Sequence, residues 1–170
     1  MKKEFLIAKV IARFPNGGRV IKYNVGEYNE KDIVDLVAIA KIKASNDGVI
    51  VKILPKIRAN DNLYEVIFSD LAGTIYERKC PDLKIISEKD GRHYFEYESF
   101  ARPFKPRDLS RMLARGSRQA ASLIIDVRET NITPSFIRKQ IFRNLMDPYF
   151  KRPINQVWTY NGDQLIKVWG

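Results

Sequence analysis

Cysteine and histidine are nearly absent from this 170-residue chain, which contains one cysteine, Cys80, and one histidine, His93. A lone cysteine excludes a disulfide within the chain. A structural zinc site needs four nitrogen or sulfur ligands at characteristic spacing, so the sequence excludes such a site as well. We therefore expect a fold stabilised by its apolar core, with no metal and no other cofactor.

The chain also lacks a long apolar run. Its first apolar stretch, Phe5 to Ile11, is interrupted by Lys9 and is too short for the core of a signal peptide or for a membrane span. Internal repeats and low-complexity tracts are absent, and proline and glycine are scattered as turn residues rather than gathered into a linker. The sequence therefore predicts a cytoplasmic protein with one main domain and no membrane partner.

Acidic residues are too few to balance the basic ones. Thirty lysine and arginine residues against twenty aspartate and glutamate residues give a formal net charge of +10. The excess is concentrated after residue 70, where 18 basic and 11 acidic side chains occur. Such a charge attracts nucleic acid or an acidic protein, and we expect the binding surface to lie in this later part of the chain.

The apolar pattern predicts the order of the secondary-structure elements. Strands are expected where β-branched and aromatic residues cluster between turn signals, and helices where apolar residues recur every three or four positions. The predicted order is β-β-α-β-α-β-β-α-β-α-β-β, which indicates an α+β fold with one central, mostly antiparallel sheet and helices packed on it. Residues 1–31 are predicted to form an N-terminal hairpin extension, and residues 32–170 the main domain.

The predicted helix from Pro106 to about Ala121 carries a stripe of arginines. They follow one another at steps of four, four and three residues, which places them on one helical face. They are Arg107, Arg111, Arg115 and Arg118, and the basic run begins before the helix with Arg102 and Lys105. Like charges at this spacing destabilise a helix by about 0.2–0.5 kcal/mol per pair, and a bound phosphate would relieve the repulsion. A solvated helix face is the alternative interpretation.

Candidate catalytic residues lie on two neighbouring predicted strands. Asp82 precedes the strand Leu83 to Ile86, and Glu96 and Glu98 share one face of the next strand because strand side chains alternate. If this face is buried, the two glutamates compete and one becomes suited to general acid-base work; if it is exposed, they pair with nearby cations. His93 begins the same strand and is a second candidate base, since its ordinary pKa lies near neutrality.

Four motifs follow one another along the chain. One strand ends in Leu54-Pro55, Lys79 begins a Lys-x-Pro-Asp strand, Glu96 begins a Glu-x-x-Ser element, and residues 118–126 read Arg-Gln-Ala before a strand that ends in aspartate. From about Asp35 to Gly170 the chain thereby resembles the C-terminal tRNA nuclease domains of contact-dependent growth-inhibition toxins. These domains belong to the barnase, EndoU, colicin and RelE-like superfamily of metal-independent ribonucleases.

The resemblance implies a ribonuclease that acts on tRNA or another RNA, with an immunity-like protein as a second partner. It implies attack of the ribose 2′-hydroxyl on the adjacent phosphorus, with a glutamate or His93 as the base and Arg115, Arg118 or Gln119 stabilising the developing charge. The other predicted substrate-binding residues, which include the arginine stripe and the basic run before it, are Lys79, Ser99, Arg102, Lys105, Arg107 and Arg111. This chain has Glu98 where the toxin pattern has lysine, so the arginine stripe supplies the missing charge, or the site is altered or inactive.

Two other functions fit the same residues. Pro81-Asp82 followed by Glu96-x-Glu98 approximates the Pro-Asp…(Asp/Glu)-x-Lys pattern of restriction-like nucleases, whose acids hold Mg²⁺ for DNA hydrolysis, although the final lysine is again missing. A non-catalytic module would instead use the basic helix to bind nucleic acid or an acidic partner. Its sign would be Glu96 and Glu98 both in salt bridges, with no cleft between them and Arg115. The sequence predicts no particular oligomeric state.

Overall fold

A computed structural model describes residues 7–100 and 103–170 of the chain. Phe5, the predicted start of the first strand, and Arg102, a predicted binding residue, lie outside the described residues. The chain divides into two compact units, the first up to Tyr94 and the second from Phe95 onward. Within the described residues, eight strands form one sheet whose spatial order follows the order of the chain.

The observed elements match the predicted order. The strands are β1 Ala8–Arg13, β2 Arg19–Tyr23, β3 Ile50–Ile53, β4 Leu83–Ser87, β5 Gly91–Glu98, β6 Ser122–Asp126, β7 Gln156–Tyr160 and β8 Leu165–Trp169. The helices are α1 Ile33–Asp47, α2 Asn62–Phe68, α3 Pro106–Gly116 and α4 Pro134–Met146, and a 3₁₀ turn, Ser69–Leu71, follows α2. None of the helices in the described part of the chain is long and apolar enough to cross a membrane.

The α+β class and the single sheet are confirmed, and the difference from expectation lies in strand direction. β2 and β3, β5 and β6, and β6 and β7 are parallel pairs, whereas β1 and β2, β3 and β4, and β7 and β8 are antiparallel. The sheet is therefore mixed rather than mostly antiparallel. The physical reason is that parallel neighbours need a crossover connection, which α1, α3 and α4 each provide, whereas α2 lies between the antiparallel strands β3 and β4.

The first unit is built on the N-terminal hairpin and α1. Residues 15–18 turn the chain between β1 and β2, and Asn16 Nδ2 donates to the Ser45 carbonyl at 2.6 Å. Helix α1 packs on β2 and β3 and ends where Gly48 adopts a φ of 67°, a left-handed conformation that glycine accepts without steric cost. Since β2 pairs with β3, the hairpin shares the sheet of this unit. The division predicted between residues 31 and 32 stays a prediction.

The core of the second unit lies where α3 and α4 cover one face of the sheet. Side chains of both helices meet those of β6, β7 and β8 in one buried cluster. Its fully buried members include Leu109, Leu113, Leu123, Ile125, Ile137, Ile141 and Val157. The two helices are also joined by Asn144, which accepts a hydrogen bond from the Ser110 hydroxyl at 3.1 Å and donates to the Ser110 carbonyl at 3.2 Å. These contacts fix the position of α3 on the sheet.

Helix α3 ends at Gly116 rather than near Ala121. A Cβ at Gly116 would lie 2.7 Å from Leu123 Cδ2 and 3.2 Å from Glu98 Oε1, so the glycine allows α3 to approach the sheet closely. Backbone N–H groups of the next residues bond back to the last turn of the helix, which closes it. Arg118 therefore lies in the turn that follows α3, and the prediction that it continues the helical stripe is wrong.

Candidate active site in the second unit

A buried carboxylate on β5 holds an arginine of α3. Glu98 is 6% exposed. Arg115 Nε donates to both carboxylate oxygens of Glu98, at 3.2 and 3.1 Å, and Arg115 Nη2 donates to Oε2. The hydrogen bonding to Glu98 is the main reason that the pKa of Arg115 lies above its usual value. Because two guanidinium nitrogens bind one carboxylate, the pair fixes the orientation of a permanent positive charge.

Glu96 places a second negative charge near this arginine. It precedes Glu98 by two residues on β5, so both side chains point to the same face of the strand. Glu96 is half-buried, and its charge contributes to the raised pKa of Arg115. The Arg115 side chain is 65% exposed although its guanidinium is held by Glu98. The structure thus brings together a carboxylate that has one buried oxygen and a fixed cation that solvent can reach.

The remaining arginines of α3 form an exposed basic surface. Arg107 and Arg111 lie on α3, and Arg118 lies in the turn after it, all three exposed. Among the residues that the structure describes, no carboxylate forms an ion pair with any of the three. Asp108, the acid between them, is engaged at the helix start, where its Oδ2 accepts from the Lys105 N–H at 3.0 Å. The positive charge of this surface is therefore not neutralised within the described part of the unit.

The other predicted binding residues of the second unit lie around α3. Ser99 is exposed directly after β5. Lys105 is exposed and occupies the N-cap position of α3. Gln119 is half-buried in the turn that contains Arg118, and its N–H donates to the Gly116 carbonyl at 2.8 Å. These positions border the arginine surface at both ends of the helix.

Three predicted site residues belong to the first unit, where each has a local contact. Asp82 is buried and pairs with Lys56 at 2.9 Å. His93 Nε2 lies 2.7 Å from the carbonyl oxygen of Asp90, in the turn before β5. The carbonyl of Lys79 accepts from the Tyr64 hydroxyl at 2.8 Å. Within residues 7–100 and 103–170, no three histidine, cysteine, aspartate or glutamate side chains are grouped so that they could hold a metal ion.

The second unit contains a further ion pair, whose residues are not among the site residues predicted from the sequence. Asp126 ends β6, and Arg128 Nε donates to its two carboxylate oxygens at 3.0 and 3.1 Å. The Tyr97 hydroxyl donates to Asp126 Oδ2 at 3.0 Å. Burial alone would raise the pKa of the Asp126 carboxyl, but the hydrogen bonds from Arg128 and Tyr97 outweigh it and hold that pKa below its usual value. In the sequence, Asp126 is the aspartate that ends the strand of the last motif, but an acid two residues before an arginine is typical of many solvated turns and does not predict this pair.

This pair predicts a pH-dependent contribution to stability. Since the pKa of Asp126 is lower in the folded chain, its carboxylate stabilises the fold above the unfolded pKa of about 3.9, and this contribution is lost as the pH falls through the folded pKa. We expect Asp126→Asn to lower the free energy of unfolding by about 1.5–3 kcal/mol at pH 7. At pH 2 the loss should be much smaller. Urea unfolding of both proteins at the two pH values measures the difference.

The control for this prediction is Tyr97→Phe, which removes the hydrogen bond to Asp126 and no charge. It should cost about 1 kcal/mol at pH 7, less than Asp126→Asn. Equal losses for Asp126→Asn at pH 7 and pH 2 would contradict the role given to the carboxylate.

The first unit contains a comparable cluster around Asp70 of the 3₁₀ turn. Lys84 on β4 is buried, and its Nζ donates to Asp70 Oδ2. Arg92 Nη1 donates to both oxygens of the same carboxylate at 3.1 Å. Burial tends to raise the pKa of Asp70, and the bonds from Lys84 and Arg92 more than offset it, so that pKa lies below its usual value. The cluster attaches the 3₁₀ turn to β4.

Comparisons with known proteins bear on the fold. No protein-family model and no curated protein matches the sequence. Among solved structures, the chain is similar to a chain of the CdiA-CT/CdiI toxin and immunity complex from Burkholderia pseudomallei. The identity is 16% and the TM-score 0.50, and the similarity covers 81% of this chain and 83% of that chain. The likeness is one of fold.

Proposed function

We propose that this protein is a toxin-like, metal-independent ribonuclease whose active site lies in the second unit. The observation that carries the proposal is that Glu96 lies on the same face of β5 as the buried Glu98, which holds the guanidinium of Arg115. It provides a carboxylate for proton transfer and a fixed cation for negative charge on phosphate, which are two of the requirements of RNA transesterification. The fold shared with a chain of a toxin and immunity complex supports the toxin-like assignment.

In the proposed reaction Glu96 is the general base. It takes the proton of a ribose 2′-hydroxyl as the 2′ oxygen forms a bond to the adjacent phosphorus. The bond from phosphorus to the 5′ oxygen breaks, and that oxygen takes a proton from water. The products are a 2′,3′-cyclic phosphate and a 5′-hydroxyl end. Since DNA has no 2′-hydroxyl, the reaction is confined to RNA.

Arg115 is proposed to stabilise the negative charge that develops on the phosphate oxygens. Its guanidinium is held by Glu98 before substrate binds, so little reorganisation is needed during the reaction. Glu98 is thereby a positioning residue. In this proposal, Glu98 stands where the toxin pattern has lysine, and the arginine that Glu98 holds supplies the positive charge instead.

The exposed arginines of α3 and the following turn are proposed to bind the RNA backbone. Arg107, Arg111 and Arg118 present forked donors suited to phosphate oxygens, and no carboxylate in the described part of the chain neutralises them. With a net charge of +10, the protein would attract RNA before specific contacts form. Cytoplasmic tRNA is the proposed substrate, and an immunity-like protein is the proposed partner.

Cleavage of total tRNA by the purified protein in the presence of EDTA tests this function. We expect cleavage without added metal, products that end in a 2′,3′-cyclic phosphate, and no cleavage at a site that carries a single 2′-deoxy substitution. Cleavage that appears only with Mg²⁺, or that extends to DNA, would favour the restriction-like alternative. Salt-sensitive RNA binding without cleavage under either condition would leave a non-catalytic binding module.

The salt dependence of RNA binding tests the role of the α3 arginines. Each cation that contacts a phosphate of a single strand contributes about 0.7 to the slope of log affinity against log salt. In a Glu96→Gln background, which allows binding to be measured without cleavage, Arg111→Ala should lower this slope by about 0.7. Arg58→Ala removes the same charge from an exposed position of the first unit and should leave the slope unchanged. Equal slopes for both variants would contradict a phosphate contact at Arg111.

A further inference from the structure

The first unit contains a cavity on the face of the sheet that α1 does not cover. Its volume is about 260 Å³. The apolar side chains of Val10, Ile21, Ile50 and Ile86 line it, together with two basic residues. Those two are Arg19 of β2 and Lys52 of β3. A concave apolar surface with a few charged groups at fixed positions is typical of small-molecule sites.

Strand register explains why these residues meet. Val10 pairs with Ile21 between β1 and β2, Ile21 with Lys52 between β2 and β3, and Ile50 with Ile86 between β3 and β4. Paired residues of adjacent strands point to the same face of a sheet, so these side chains form one continuous surface. The alternate residues Val20, Val51 and Ile53 are fully buried. They point to the opposite face, against which α1 packs.

The surface becomes concave because it is covered at one end. Tyr23, which follows Ile21 on this face, is buried in a cluster with Leu54 and the aromatic side chains of α2. Lys84 pairs in register with Lys52 and is held by Asp70 in the 3₁₀ turn that follows α2. Beyond these residues Ile21, Ile50 and Ile86 are only half-buried. The cavity thus lies on one apolar face of the sheet, at the boundary between its covered part and its open part.

The basic residues on this face of the sheet differ in their neighbours; Lys84 lies on the same face but outside the cavity. The charge of Lys84 is matched by Asp70, which also binds Arg92. No carboxylate in the described ranges forms an ion pair with Arg19, whose guanidinium is therefore available to an anion. A ligand must satisfy both this cation and the isoleucine and valine floor. An anion with an apolar body does so, whereas a metal ion or a wholly polar anion would leave the floor in contact with water.

We infer that this cavity binds a small carboxylate with an apolar body, which rests on Val10, Ile21, Ile50 and Ile86 and directs its carboxylate to Arg19 and Lys52. The volume sets the size of the ligand, because 260 Å³ lies just below the range of about 300–1,000 Å³ found for drug-sized ligands. Medium-chain carboxylates are the matching class. This site is separate from the proposed ribonuclease function and does not depend on it.

Titration of the 170-residue protein with octanoate tests the inference. Binding is monitored by calorimetry and by NMR of the isoleucine and valine methyl groups. We expect a dissociation constant on the order of 0.1–1 mM and shifts of the Ile21, Ile50 and Ile86 methyl signals. Hexanoate should bind roughly tenfold more weakly because it buries two fewer methylene groups. Octanol should bind at least about tenfold more weakly than octanoate, because it lacks the charge that Arg19 and Lys52 recognise.

Variants separate the cationic contribution from the apolar one. The double variant Arg19→Gln, Lys52→Gln should lose most of the preference for octanoate over octanol, while its circular dichroism remains that of the parent. Lys41→Gln, Arg58→Gln removes the same charge from exposed positions outside the cavity and should bind octanoate as the parent does. Equal affinity for octanol and octanoate, methyl shifts elsewhere in the protein, or no binding at about 10 mM octanoate would overturn the inference.

Discussion

Replacing Glu96 by glutamine should reduce RNA cleavage by about 10²–10⁴-fold, because the amide cannot accept the 2′-hydroxyl proton. The substitution keeps the size of the side chain and its position on β5 two residues before Glu98. The pair of Glu98 and Arg115 does not require Glu96, so the urea unfolding curve should stay close to that of the parent. Rates of tRNA cleavage in EDTA, measured at saturating and at low RNA, separate this loss from weaker binding.

Glu129→Gln is the matched control for this prediction. It makes the same chemical change at an exposed position of the second unit and should leave the cleavage rate unchanged. A second comparison is His93→Gln, which removes the other candidate base. If Glu96→Gln were fully active and His93→Gln inactive, the base would be His93, and the site proposed around Arg115 would be wrong.

The elements of the fold could be predicted because each has a local signal. Residues 15–18 read Pro-Asn-Gly-Gly between two β-branched runs, and the hairpin of β1 and β2 forms there. Pro106 begins α3, as its fixed φ favours the first helical position. Strand direction has no such signal. It depends on which strands become neighbours after each helical connection, so the sheet was expected to be mostly antiparallel and is mixed.

In the candidate site, too, local sequence spacing predicts some features, whereas others depend on tertiary contacts. Arginine spacing predicts that Arg107 and Arg111 share a helical face, and both lie exposed on α3. The spacing fails at Arg118, because Gly116 ends the helix where α3 approaches the sheet. Only the folded chain shows that Glu98 is buried against Arg115, since a Glu-x-Glu strand is equally compatible with exposed surface pairs. A site that depends on helix-to-strand distance therefore needs the structure.

Loss of the arginine should destabilise the protein more than loss of its partner. Arg115→Ala leaves the carboxylate of Glu98, whose side chain is only 7% exposed, without the guanidinium that binds it. Breaking a buried ion pair from one side costs about 3–5 kcal/mol, and we expect about 3 kcal/mol here because Arg115 itself is largely exposed. Glu98→Gln should cost about 1 kcal/mol, since the released guanidinium can be hydrated. Urea unfolding at pH 7 gives both values.

The double variant distinguishes this asymmetry from simple loss of packing. If an uncompensated carboxylate causes the damage, Arg115→Ala combined with Glu98→Gln should be more stable than Arg115→Ala alone, and the two changes should be strongly non-additive. Arg111→Ala removes an arginine from the same helix without exposing a buried charge and should change the free energy of unfolding by less than about 0.5 kcal/mol. Equal effects of Arg115→Ala and Arg111→Ala would mean that Glu98 does not rely on Arg115. The carboxylate could then not be assigned the positioning role on which the proposed catalytic cation depends.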